Sequence, residues 1–85
     1  MSDLIYFVYV IESITDGIWY VGMSQNPKER LKQHNNGKSK FTKGHLPWKI
    51  IYSELAGDIN KARKLEKYYK TTAGKNRLRK ILGIN

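Results

Sequence analysis

The chain has 85 residues, with 16 lysines and arginines, seven aspartates and glutamates and no cysteine. This length predicts one small domain over residues 1–85, and the lack of cysteine excludes a disulfide framework and any cysteine-ligated zinc or iron–sulfur site. The formal charge of +9 favours a polyanion such as nucleic acid as partner over a membrane surface, since no segment pairs a wide apolar face with a basic one.

The predicted elements begin with a hairpin. Residues 4–11 are apolar throughout and rich in β-branched and aromatic types, which predicts a strand covered on both faces. Turn residues at 15–17 separate it from a second strand over 18–23, so the two strands should pair antiparallel. The first run is too short to span a membrane and no signal peptide precedes it, so we expect a cytoplasmic protein.

A helix is predicted next. Asn26 can cap it, Pro27 suits its first position, and Glu29 can reach back to the cap. Asn36 and Gly37 suit a left-handed end of this helix.

The second half of the chain reads as loop, strand, helix and helix. Residues 37–47 are predicted to be a loop too polar to pack, suited to lie against a charged partner through Lys38, Lys40 and Lys43. A third strand is predicted over 48–54, a second helix from 58 or 60 to about 72, and a short last helix over about 75–82. The order β-β-α-β-α-α predicts an α+β fold with a three-stranded antiparallel sheet, the first strand central, flanked by helices on both faces.

Two side chains of the first helix are candidates for binding phosphate. Arg30 and His34 are four residues apart and share one helix face. Arg30 can bind a phosphate through two parallel hydrogen bonds, and His34 can hydrogen-bond a phosphate or carry a proton near neutral pH. Taken alone, such a pair is more often an ordinary solvated face.

Glu66 is a carboxylate beside an apolar helical stripe. It falls on or next to the face marked by Ala62, Leu65 and Tyr69. A carboxylate near a core needs a partner or a metal, and Mg²⁺ often takes one or two carboxylates. An ion pair with Lys70 explains the residue equally well, and the sequence pattern leaves both interpretations open.

Two tyrosines lie on the neighbouring strands of the hairpin. Tyr9 and Tyr20 are typical strand aromatics, yet a phenol can act as a base or orient a water when a cation lowers its pKa. Further groups expected to contact nucleic acid are Lys67, Lys70 and Asn76.

Together these residues resemble the GIY-YIG nuclease domain, in particular small stand-alone members similar to the catalytic module of the excision-repair nuclease. Phe7-Val8-Tyr9 stands at the first motif and Tyr20-Val21-Gly22 at the second. Arg30, His34 and Glu66 follow at the family's spacing. Phe7 and Val8 replace a glycine and an isoleucine of the first motif, whose tyrosine is kept.

The resemblance implies hydrolysis of phosphodiester bonds in DNA with one divalent metal, Mg²⁺ or Mn²⁺. Tyr9 would be the general base or would orient the water, and Tyr20 would support it. Arg30 would stabilise charge on the phosphate, His34 would contact phosphate or assist proton transfer, and Glu66 would hold the metal.

Other implied features concern structure and partners. Val21 and Gly22 would be structural, with Gly22 allowing a tight strand end, and Asn76 is the one candidate for the family's late asparagine. We expect low sequence specificity, with room for a preference for single-stranded or branched DNA over duplex DNA, and no small-molecule cofactor. The alternative is a catalytically inactive nucleic-acid-binding module.

Overall fold

The computed structural model describes residues 4–84. The strands are β1 (Tyr6–Ser13), β2 (Trp19–Ser24) and β3 (Trp48–Gly57), and the helices are α1 (Pro27–Asn35), α2 (Ile59–Tyr69) and α3 (Thr72–Leu82). The predicted α+β order is therefore confirmed. Within this described part of the chain, every helix is too short or too polar to cross a membrane.

The strands form one antiparallel sheet in the order β2-β1-β3. The apolar strand β1 is central, as its composition predicted, and β2 is a free edge. Gly22 lies within β2, which continues to Ser24, and it pairs with Tyr9 across the ladder. The expectation that Gly22 allows a tight strand end is therefore wrong, because the strand runs on past it.

Helices cover both faces of the sheet, because successive side chains of β1 point to opposite sides. One core cluster lies between the sheet and the helices α2 and α3, and its buried members are Val8, Val10, Val21, Tyr69 and Leu78. The other lies on the α1 side, and its buried members are Tyr9, Ile11 and Trp48.

Helix α1 begins and ends at the predicted residues. The Asn26 side chain accepts a hydrogen bond from the Glu29 backbone N–H at 3.2 Å, and Pro27 occupies the first turn. The Asn26 backbone N–H donates to Ser24 Oγ at 3.0 Å, the position that Glu29 was expected to fill. Gly37 follows the helix with a φ of +76°, which suits glycine.

The segment between α1 and β3 packs against the sheet, contrary to the prediction of an unpacked loop. It contains a short 3₁₀ helix, Thr42–His45, and the Thr42 side chain is completely buried. Trp48 Nε1 donates to the Thr42 carbonyl at 2.8 Å, which ties the segment to β3. Composition alone suggested a solvated loop because the residues around Thr42 are lysine and glycine.

The boundary between α2 and α3 lies earlier than predicted. Helix α2 ends at Tyr69, and Thr71 caps α3 by accepting from the Gly74 N–H at 3.0 Å. A Cβ on Gly74 would overlap the Tyr68 carbonyl. The glycine therefore allows the first turn of α3 to pack against the end of α2, where the predicted helix bounds had left a short gap.

Candidate active site

The phenol of Tyr9 is a buried polar group on the α1 side of the sheet. The residue is 1% exposed, and its Oη lies 2.9 Å from His34 Nε2. Its ring lies over Gly22, where an added Cβ would stand 2.5 Å from Oη. Gly22 therefore makes room for the phenol on the neighbouring strand.

His34 continues a line of buried hydrogen bonds. Its Nδ1 lies 2.9 Å from Thr42 Oγ1, and that hydroxyl donates to the Ser39 carbonyl at 3.4 Å. A hydroxyl whose proton points at a carbonyl accepts from the histidine, so neutral His34 carries its proton on Nδ1. His34 Nε2 is then free to accept the proton of Tyr9.

Burial sets the protonation of both partners. Burial raises the pKa of Tyr9 to about 12; the neighbouring phenol of Tyr20 adds to the rise, and the Arg30 guanidinium opposes it. Burial also lowers the pKa of His34, and the charge of Arg30 lowers it further. At neutral pH, Tyr9 is therefore a protonated donor and His34 a neutral acceptor.

Tyr20 contacts His34 from the edge strand β2. Its ring meets the His34 ring edge-on, with centroids 5.2 Å apart, and stacks on Phe41 at 5.9 Å. Tyr20 thus forms a wall between the buried His34 and the surface at Phe41.

Arg30 is half-buried on α1, one turn before His34. Its Nη1 donates to Gln33 Oε1 at 2.6 Å, which holds the guanidinium in place. Arg30 and Gln33 both border an open cleft of about 450 Å³. The arrangement puts a cation close enough to Tyr9 to act on the pKa of the phenol, and at the edge of a cleft that solvent reaches.

Glu66 approaches this group from α2. Its carboxylate lies 3.7 Å from Lys70 Nζ, so the predicted ion pair is present. The charge of Glu66 also contributes to the raised pKa of Tyr9, so the two groups are within electrostatic range of each other. Lys70 is 53% exposed and Glu66 24%, and the lysine is thus the partner that can move away.

Tyr9, Tyr20, Arg30 and His34 therefore form one contiguous group, and Glu66 lies within electrostatic range of Tyr9; the five residues come from four different elements. A GIY-YIG catalytic domain matches the chain over residues 5–79. The chain belongs to the GIY-YIG catalytic domain family. The resemblance drawn from the motif residues is thereby confirmed.

Relatives of this GIY-YIG protein carry the name UPF0213. The chain is 39% identical over 77 residues to a UPF0213 protein of Bacillus licheniformis, covering 89% of the chain and 78% of that protein. It is 33% identical over 73 residues to the UPF0213 protein YazA of Bacillus subtilis, covering 85% and 73%. The solution NMR structure of a UPF0213 protein from Bacillus halodurans is 28% identical, with a TM-score of 0.55 over 91% of this chain and 84% of that one.

The other predicted contact residues of this GIY-YIG domain are spread over its surface. Five are exposed lysines, Lys38, Lys40, Lys43, Lys67 and Lys70. Asn76 lies on α3, where its side chain accepts from Arg79 on the same helix at 3.1 Å. That hydrogen bond turns the Asn76 side chain toward its own helix. A contact between Asn76 and nucleic acid stays a prediction.

The GIY-YIG family implies a bound metal ion, and the acidic and histidine side chains near Tyr9 are its possible ligands. Within residues 4–84, no three acidic, histidine or cysteine side chains cluster as metal ligands. Glu66 would thus be a single carboxylate ligand. Mg²⁺ accepts such a site, because it keeps several waters and takes further oxygens from substrate phosphates.

Sequence reasoning missed Thr42, Gln33 and Phe41. Thr42 fixes the tautomer of His34, Gln33 holds Arg30, and Phe41 extends the wall made by Tyr20. Gln33 could have been found from its i+3 spacing to Arg30. Thr42 carried no local signal, because its partner lies on another element.

Proposed function

We propose that this chain is a metal-dependent endonuclease that hydrolyses phosphodiester bonds in DNA. The observation that carries the proposal is the buried line from Tyr9 to His34 to Thr42, beside the cation of Arg30 and the carboxylate of Glu66. Titratable groups whose pKa values are shifted by burial and by a neighbouring cation cluster at functional sites, which favours catalysis over binding alone.

Tyr9 and His34 would move the proton of the attacking water. A phenol whose pKa is about 12 is a poor base by itself. Tyr9 can, however, take the water proton on Oη while its own proton passes to His34 Nε2, 2.9 Å away. The water oxygen then bonds to phosphorus as the bond to the leaving oxygen breaks, and His34 ends as an imidazolium.

Thr42 would hold His34 in the tautomer that this proton transfer requires. Its hydroxyl holds the Nδ1 proton of His34, so the imidazole presents Nε2 to Tyr9 throughout. Arg30 limits how long the imidazolium persists, because its charge lowers the pKa of His34. The proton is therefore readily returned to solvent or to the leaving oxygen.

Arg30 and Glu66 would act on the phosphate. Arg30 borders the open cleft and can donate two hydrogen bonds to the scissile phosphate, where negative charge grows. Glu66 would hold a divalent ion such as Mg²⁺ or Mn²⁺. When bound, such an ion neutralises charge on phosphate oxygens and lowers the pKa of bound water.

The exposed lysines support DNA as the substrate. Their side chains are exposed, so they are available to neutralise phosphates independently of base sequence. We expect low sequence specificity and an affinity that falls steeply as salt is raised.

The test is a cleavage assay on end-labelled single-stranded, branched and duplex DNA, with Mg²⁺, with Mn²⁺ and with chelator. Wild type is compared with Glu66→Gln and with Lys70→Gln, which removes the other half of the ion pair. We expect Glu66→Gln to abolish metal-dependent cleavage, while Lys70→Gln cleaves with an unchanged requirement for metal but binds DNA more weakly. Binding without cleavage of any substrate would instead identify an inactive DNA-binding module.

A further inference from the structure

The free edge of β2 carries a second cleft, distinct from the one beside Arg30. The edge cleft, as we call it, has a volume of about 230 Å³ and is lined by Trp19, Tyr20, Val21, Phe41, Lys70 and Lys75. That volume is below the 300–1,000 Å³ range of sites for drug-sized ligands. It suits a single ring system better than a whole nucleotide.

Aromatic rings form the walls of the edge cleft. Phe41 stacks on Tyr20 with an angle of 27° between the ring planes, and 51% of Phe41 remains exposed. Trp19 lies on the other side, where its Nε1 donates to Glu12 Oε2 at 3.0 Å. Two of the rings are therefore fixed by partners, while Phe41 keeps a large open surface.

The charged side chains that line the edge cleft are lysines, while Glu12 and Glu66 each contact one lining residue, Trp19 and Lys70 respectively. Lys70 and Lys75 line the cleft, Arg79 lies 5.6 Å from the centre of the Trp19 ring, and among residues 4–84 no acidic side chain contributes to the lining. Exposed aromatic rings flanked by lysines are the means by which proteins bind unpaired nucleic acid, with bases stacked on the rings and phosphates on the cations.

We propose that the edge cleft binds one unpaired nucleobase of the strand that is cut, stacked on Phe41. Tyr20 connects this position to the candidate active site, because its ring stacks on Phe41 and meets His34 edge-on. A base within a duplex is covered on both faces by its neighbours and cannot stack on Phe41. This inference rests on the proposed nuclease function, and it makes single-stranded or locally unpaired DNA the substrate class.

The first experiment measures binding with chelator present, so that it does not depend on cleavage. An oligonucleotide containing 2-aminopurine, whose fluorescence drops on stacking, is titrated as single strand and as duplex. Wild type and Phe41→Trp should bind the single strand with quenching. Phe41→Ala and Phe41→Leu should bind it about 5- to 150-fold more weakly without quenching, with duplex binding unchanged.

Phe41→Leu separates stacking from packing, since it keeps an apolar side chain but no ring. Leu55→Ala, a change at another exposed apolar residue, on β3, serves as the matched control and should bind like wild type. Circular dichroism and thermal unfolding show whether each variant is folded. Equal single-strand affinity for wild type, Phe41→Ala and Phe41→Leu, all folded, would overturn the inference.

The second experiment locates the base relative to the cut. A single abasic site is moved along a single-stranded substrate, and cleavage by wild type and Phe41→Ala is compared at each position. At one position near the cut, the abasic site should lower the rate of cleavage by wild type. At that position it should leave the rate of cleavage by Phe41→Ala unchanged. If the substrate is cleaved but no position shows this difference, base binding in the edge cleft is refuted and the nuclease function is not. An absence of all cleavage, with 2-aminopurine quenching intact, would refute the nuclease function alone.

Discussion

Tyr9 and Gly22 face each other across β1 and β2, and the phenol of one occupies the space left by the missing side chain of the other. A Cβ at residue 22 would stand 2.5 Å from Tyr9 Oη and 2.7 Å from Cζ. The glycine is thus part of the candidate active site, because it allows the hydroxyl of Tyr9 to reach His34.

Gly22→Ala should therefore reduce both stability and cleavage. The buried Tyr9 ring has no free space to move into, so overpacking of this kind is expected to lower the unfolding free energy by about 1–3 kcal/mol. Displacing Oη from His34 should slow cleavage at least about tenfold where the fold persists. Gly44→Ala is the control, since nothing lies within 4 Å of a Cβ at residue 44. Thermal unfolding and cleavage rates should show the loss only for Gly22→Ala.

Tyr9→Phe should remove the proton path and keep DNA binding. We expect the cleavage rate constant to fall about 10²- to 10⁴-fold, the usual contribution of a general acid–base group. The unfolding free energy should fall by about 1–3 kcal/mol, since His34 Nε2 loses its buried partner. Tyr68→Phe, at a residue 39% exposed, is the matched control. Single-turnover cleavage and DNA affinity, measured side by side, separate an effect on the reaction from an effect on binding. A Tyr9→Phe protein that cleaves at the wild-type rate would exclude Tyr9 as the proton acceptor.

The sequence predicted the sheet, and the shared helix face of Arg30 and His34, for a physical reason. The continuous apolar run of β1 can only be a strand covered on both faces, and the spacing of Arg30 and His34 fixes them on one helix face. Thr42 escaped prediction because its burial depends on a tertiary contact with His34. Phe41 escaped because an aromatic residue in a lysine-rich loop gives no sign of which ring it will stack on.

Thr42→Val should weaken the orientation of His34 without changing the volume of the side chain greatly. Valine cannot accept the Nδ1 proton, so the imidazole can carry its proton on Nε2 and then offers no acceptor to Tyr9. We expect cleavage to slow about tenfold or more, as is typical when a hydrogen bond that orients a histidine is lost. Thr42→Ser, which keeps the hydroxyl, should retain most of the activity. Nitrogen-15 NMR of His34 reports the tautomer directly, and an Nδ1-protonated His34 in Thr42→Val would contradict this role for Thr42.

The rate of cleavage should decline with falling pH only below the ordinary pKa of histidine. His34 must be neutral to accept the proton of Tyr9, and burial lowers its pKa below 6.5. The value of kcat/KM should therefore stay level as pH falls to about 6.5 and decline only below it. Cleavage by Tyr9→Phe, which does not use His34 as acceptor, should lack this decline. A decline that begins above pH 7 in wild type would show that another group controls the rate.

The unfolding free energy should also depend on pH through His34. The folded-state pKa of His34 lies below its unfolded value of about 6.5, so the unfolded chain binds more protons at acidic pH. The unfolding free energy should therefore fall as pH drops through 6.5, until the pH reaches the folded-state pKa. His34→Gln can still hydrogen-bond but does not titrate, and its stability should be flatter over this window. Urea unfolding of both proteins at pH 7.5, 6.5 and 5.5 checks the difference, and parallel curves would mean that His34 does not control acid stability.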